Sequence, residues 1–168
     1  MALKDALLAE YDHEMAATRK LLERIPDDKL TWKPHDKSRS FGTLGQHIAN
    51  LPNWGVLILD RFSVDLLDVP AAPMEPQSRS MILSAFDEAR AKTRKLLDKT
   101  DAELAAMWSL KREGQELFSL PKSAAFRTFV LSHIVHHRGQ LSVYLRLNDI
   151  PVPALYGPSA DEGGMSQT

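Results

Sequence analysis

The 168-residue sequence has no cysteine. It therefore forms no disulfide and no cysteine-ligated metal or iron–sulfur site, and it carries no thiol of its own. Any sulfur nucleophile would have to come from outside. A dominant charge is missing as well: 21 basic against 22 acidic residues leave a net charge of -1. That balance speaks against binding to a phosphate backbone, while leaving room for a local basic patch. No apolar run reaches the length of a membrane span; the nearest, Asn50 to Leu59, is interrupted by Pro52 and Asn53. The opening MALKDALLAEYDHEM alternates charged and apolar residues and lacks the apolar core of a signal peptide. The expectation is a soluble cytoplasmic protein with neither nucleic acid nor membrane as partner.

What the sequence does have is helical periodicity. Leu8, Tyr11, Met15, Thr18 and Leu22 share one stripe of a helix expected over Leu3 to Ile25, which Pro26 ends. A second helix is expected from Ser40 or Thr43 to about Phe62. Leu44, His47, Leu51, Trp54 and Ile58 share its face, and Pro52 should kink it just after His47. Ser40 suits an N-cap, and Thr43 with Gln46 has capping-box spacing. The three prolines between Val69 and Gln77 mark a long crossover loop. A third helix is expected over Ser78 to Lys99, a short one over Asp101 to Met107, and a fourth long one over Ser123 to Asn148. The segment WSLKREGQELFSL, residues 108–120, reads as irregular or briefly extended. No convincing strand set emerges. The expected fold is all-α, a four-helix bundle with a long crossover connection, in one domain over 1–162 with a disordered tail at 163–168.

Six histidines are present, and three crowd into FVLSHIVHHRGQL, Phe129 to Leu141. With His133 as origin, His137 lies about 40° away on the helical wheel, Phe126 and Tyr144 about 20°, and Val130 about 60°. This pair sits on the apolar face, where an i, i+4 spacing presents two ring nitrogens to one ion. Ile134 follows His133, so the glutamate of the HExxH zinc proteases is absent. His47 is likewise an imidazole on an apolar stripe. Neutral imidazoles stacked in a core cost free energy unless their nitrogens find partners, which points to His47, His133 and His137 as metal ligands. His13 falls on a polar face, His35 in a loop, and His136 about 100° from His137, outside the pair. Arg138 points away from the histidine face and is expected at the surface, paired with a carboxylate of the C-terminal segment or of a partner subunit.

Three blocks, FGTLGQHIANLPNW (41–54), SHIVHHRGQL (132–141) and IPVPALYGPSADE (150–162), together resemble the DinB family, also called DinB/YfiT-like. The resemblance covers nearly the whole chain. It implies a four-helix bundle with a long crossover, a divalent ion (nickel or zinc) held by His47, His133 and His137, and a homodimer. It also implies chemistry like that of relatives that act as bacillithiol-dependent thiol transferases or mycothiol-dependent maleylpyruvate isomerases.

The expected function is accordingly a metal-dependent enzyme acting on a small electrophilic molecule. It would be either a transferase using an external low-molecular-weight thiol or a hydrolase using water. Two alternatives stand beside it: a non-catalytic metal- or small-ligand-binding stress protein, and a metal-free helical interaction module. Tyr11, Met15, Trp54, Phe126 and Tyr144 are candidates for a substrate or cofactor pocket. Gln140, at about -20° on the same wheel, is the candidate catalytic residue, able to orient a ligand or a metal-bound water. Asp12, Glu14 and Tyr11 are weaker candidates for an acid or base. The 150–162 segment is read as a strap packing Leu155 and Tyr156 on the bundle, with a lid as the alternative.

Overall fold

Four helical rods form the protein, in a computed structural model that describes residues 2–69 and 75–163. The first rod is α1 (Leu3–Leu22), whose buried stripe includes Leu7, Tyr11, Met15 and Leu22. The second is broken in two, α2 (Phe41–Asn50) and α3 (Pro52–Asp60). Pro52 is the first residue of α3, where its missing N–H costs nothing. The break therefore falls at Leu51, one turn beyond the expected kink. Ser40 caps α2, and the reciprocal partner in its capping box is Thr43 itself, not Gln46 further on.

The third rod is α4 (Arg79–Leu96), capped by Ser78. A short α5 (Asp101–Ala105) follows, with a Thr100–Glu103 capping box. The fourth rod starts as α6 (Lys122–Phe126), widens into a π-helical turn over Arg127–Ser132, and continues as α7 (His133–Leu147).

Two expectations about this framework need correction. The fold is not purely helical, because 63–65 and most of 107–121 form a three-stranded mixed sheet. β1 (Ser63–Asp65) pairs in parallel with β2 (Met107–Arg112), and β2 pairs antiparallel with β3 (Gln115–Pro121). The turn between β2 and β3 is Glu113–Gly114, both at positive φ (53° and 77°), which suits a two-residue hairpin. The Asp65 carboxylate accepts from both turn amides, at 3.2 and 2.7 Å, and ties β1 to the hairpin. Trp108 and Leu110 alternate inward with Ser109 and Lys111, a period-two signal too short to stand out in sequence. The second correction is Arg138, which is 1% exposed rather than at the surface.

Contacts fix the directions of the rods. Gly45 lies against Ile82 and Gly55 against Thr93, so the second rod and α4 run the same way. Asp12 pairs with Arg94 and Arg19 with Asp87, so α1 and α4 run oppositely. Parallel neighbours require a connection that returns along the bundle, and residues 61–78 make it, of which the 70–74 part of the expected crossover loop lies outside the described residues. Likewise, 164–168 of the expected disordered tail lie outside them. Among the described residues no helix is long and apolar enough to cross a membrane.

A single core runs through the bundle, from Leu7 and Tyr11 to Ile134 and Leu145. The sheet closes one end. There Phe118 of β3 stacks on Phe129, which stacks on Trp54 of α3, with centroids 5.8 and 5.5 Å apart.

Candidate metal centre

The three histidines singled out in the sequence converge. α2 supplies His47, and α7 supplies His133 and His137 one turn apart. His137 Nε2 is 3.0 Å from His47 Nε2 and 3.0 Å from His133 Nε2. One donor atom from each residue lies within 4.8 Å of the other two, a group able to hold a metal ion. Two imidazole nitrogens bound about 2.0–2.1 Å from one ion lie about 2.9–3.4 Å apart at octahedral to tetrahedral angles. The two spacings from His137 Nε2 fall in that range. A pair of neutral rings could share one hydrogen bond, but His137 Nε2, with a single proton or a single lone pair, has only one to share between two neighbours.

Electrostatics keep the donors unprotonated. Burial lowers the pKa of His47 to about 4, with the neighbouring His137 and Arg39 charges adding to the effect. Burial lowers His133 and His137 too; His136 and Arg39 push both the same way, and Gln140 partly opposes the shift at His137. Neutral imidazoles are the form that binds metal. Gln140 Oε1 lies 2.7 Å from His137 Nδ1. An acceptor there holds the proton on Nδ1 and leaves the Nε2 lone pair facing His47 and His133. Gln140 Nε2 reaches the exposed His136 at 3.2 Å. Gln140 thus contacts His137 rather than completing the cluster, and among the described residues no further histidine or carboxylate joins the group.

The proposed pocket residues divide. Tyr144 lines a cleft beside the cluster with Lys37, Ser38, Arg39, His137 and Gln140, a cavity of about 270 Å³. Trp54 is half-buried in its stack with Phe129. Tyr11, Met15 and Phe126 have no exposed surface and are core. The wheel aligned Phe126 with His133 across the π-helical turn, where each turn takes one residue more than α winding and offsets the phase by about 100°. The weaker acid–base candidates are engaged elsewhere. The Tyr11 hydroxyl donates to Arg90 O at 3.1 Å and burial raises its pKa; Asp12 pairs with Arg94 and Glu14 with Arg138.

Sequence reading missed the basic run Lys37-Ser38-Arg39. Its only sequence signal is position, immediately before the Ser40 N-cap that launches the His47 helix.

Arg138 turns away from the cluster toward α1. Its guanidinium donates to Glu14 Oε2 (2.6 Å), to the Glu14 carbonyl (3.1 Å) and to Thr18 Oγ1 (3.2 Å). It also meets the Tyr156 hydroxyl, which donates to Glu14 Oε2 at 2.7 Å. The C-terminal partner of Arg138 is thus a phenol, while the carboxylates of that segment pair elsewhere, Glu162 with Arg24 and Asp161 with Arg146. His13 stacks on Tyr156 with centroids 6.3 Å apart.

Comparison with known proteins bears on the family and the fold. The family profile described as the DinB superfamily matches residues 10–141. YrdA, an uncharacterized protein of Bacillus subtilis (strain 168), is 24% identical over 161 residues, covering 94% of this chain and 90% of that protein. A crystal structure of a DinB-like protein from Bacillus cereus superposes with a TM-score of 0.68 at 22% identity, covering 90% of this chain and 97% of the other. A DinB-like protein from Bacillus subtilis gives 0.67 at 19% identity, over 88% and 96% of the two chains.

Proposed function

The chain belongs to the DinB superfamily, and on that premise we propose that it is a metal-dependent enzyme whose ion, zinc or nickel, is held by His47, His133 and His137. The reaction is attack on a small electrophilic molecule, either by an external low-molecular-weight thiol or by water. The observation that carries the reading is the convergence of His47 and His133 Nε2 on His137 Nε2, each 3.0 Å away, with Gln140 Oε1 placed to hold His137 in the donor tautomer. When bound, a divalent ion supplies Lewis acidity, lowering the pKa of a water or thiol and retaining its full charge for want of a carboxylate ligand.

The chain's own residues contribute the rest. The imidazoles remain neutral because they are half-buried and feel one another and the charge of Arg39. Three protein donors without a fourth leave coordination positions for solvent or substrate, the pattern of catalytic rather than closed structural sites. Tyr144 and the Lys37–Arg39 segment form the cleft wall from which a substrate would approach. Because the chain has no thiol, a sulfur nucleophile would enter as a second small molecule.

The test is elemental mass spectrometry of protein purified without a histidine tag, beside a His133→Ala, His137→Ala double variant. The expected result is close to one ion per wild-type chain, absent from the variant. A wild-type protein that neither carries an ion nor takes up zinc or nickel would overturn the reading and leave the three histidines as core residues.

A further inference from the structure

The wall of the cleft facing the cluster is cationic and stands ready-built. Lys37 and Arg39 line it and are exposed, with Ser38 between them. Lys33, earlier in the same loop, pairs with Asp36. Among the described residues neither Lys37 nor Arg39 forms a salt bridge.

The loop is held rather than loose. Ser38 N donates to His35 O (2.9 Å), Phe41 N to Trp32 O (2.9 Å) and Gly42 N to Leu30 O (2.8 Å). Lys37 N donates to His35 Nδ1 at 3.1 Å. The Tyr144 hydroxyl donates to Arg39 O at 3.1 Å. Tyr144 is itself wedged edge-on against Trp32 and Phe41, with centroids 5.6 Å away in each case. A histidine ligand helix, α7, and the basic loop are therefore locked together through one tyrosine. The first amides of α2 already have partners in Trp32 O, Leu30 O and Ser40 Oγ, so attraction for an anion comes from the two side chains. Arg39 is also close enough for its charge to act on all three imidazoles.

We propose that Lys37 and Arg39 form an anion subsite, so that the substrate or thiol this centre accepts is a small molecule bearing a carboxylate or phosphate beside its reacting atom. This rests on the reading of the histidines as a reaction centre, but the subsite consists of different residues. Two unpaired cations on a fixed loop, opening into a cleft beside a polar amide, hold an anion by charge-assisted hydrogen bonds. They also draw it from solution toward the cluster.

The test uses the metal-free full-length chain, so that it does not depend on the ion. Succinate, inorganic phosphate and uncharged succinamide are titrated while the side-chain amide resonances of Gln140 and the Arg39 Nε–H are followed by NMR. Succinate or phosphate is expected to shift these resonances to saturation, the tighter of the two naming the headgroup, and succinamide is expected to leave them in place. In a Lys37→Gln, Arg39→Gln variant with unchanged circular dichroism and Tm, affinity should fall at least about tenfold. Failure of both anions to bind, equal binding of succinamide, or full affinity in the variant would overturn the subsite. Loss of zinc and nickel binding with anion binding intact would instead count against the metal reading alone.

Discussion

Arg138 and Glu14 meet inside the bundle, with Nη2 2.6 Å from Oε2 and side-chain exposures of only 2% and 11%. Arg138 follows His137 directly in sequence, so one side of α7 faces the histidine cluster while the other is clamped to α1. Removing one member of a desolvated pair strands the other, at a cost of about 3–5 kcal/mol. Arg138→Met is expected to destabilise by about that amount in denaturant melts, and adding Glu14→Leu should recover most of the loss. An additive double variant would show that the pair is not coupled. The exposed Lys92–Glu88 pair, at 60% and 66% side-chain exposure, is the control; breaking it should leave the denaturation midpoint nearly unchanged.

Gln140 Oε1 meets His137 Nδ1, on the far side of the ring from the Nε2 that faces the other two histidines. Gln140→Leu should weaken zinc or nickel binding by about 10–100-fold, the usual effect of losing an outer partner of a ligating histidine. Competition against a chelator measures it, with circular dichroism to show that α7 is intact. Undiminished affinity would mean that another group fixes the His137 tautomer.

Acid should weaken the metal-free protein. His47 titrates near 4 in the folded state against an ordinary value of 6.5, and His133 and His137 are shifted in the same direction. The unfolded chain therefore binds more protons than the folded one in this window. The histidines' share of the stability is fully present above the ordinary value, is lost as pH drops from about 6.5 to about 4, and changes no further below. Thermal melts across that range should show a shallower slope in His47→Leu than in wild type. Parallel curves would remove His47 from the account.

Two glycines in helices should respond oppositely to alanine. A Cβ at Gly55 would collide with the Thr93 methyl and lie 2.9 Å from Phe126 Cε2. Gly55→Ala is therefore expected to cost about 1–3 kcal/mol. Gly139 has nothing within 4 Å of the same position, and Gly139→Ala should stabilise the isolated chain by up to about 1 kcal/mol. Chemical denaturation of both variants checks the contrast.

The four rods and the histidine triad were legible in the sequence because each rests on a periodic pattern. Leu44 and His47 on one stripe, and His133 and His137 one turn apart, already placed three imidazoles in one core. The sheet was not legible: β1 has three residues, and the alternation of Trp108 and Leu110 is brief. Arg138 was misplaced because a wheel assumes one buried face, whereas α7 packs against α2 on one side and α1 on the other. The Lys37–Arg39 wall was invisible for a different reason. A loop has no period, and it is tertiary contacts such as Tyr144–Arg39 that bring it to the cluster.

The wide turn over Arg127–Ser132 bears on how the site should be located in any relative of this chain. An extra residue absorbed in such a turn leaves the helix beyond it aimed as before. Insertion or deletion of one residue there would change the count from Lys122 to His133 while leaving the ligands where they are in space. The dependable ruler for this centre is the four-residue interval between His133 and His137, together with the register of α7 against α2. Distance along the rod from its beginning would misplace the ligands by one position, and with them the face on which a designer would look for the metal.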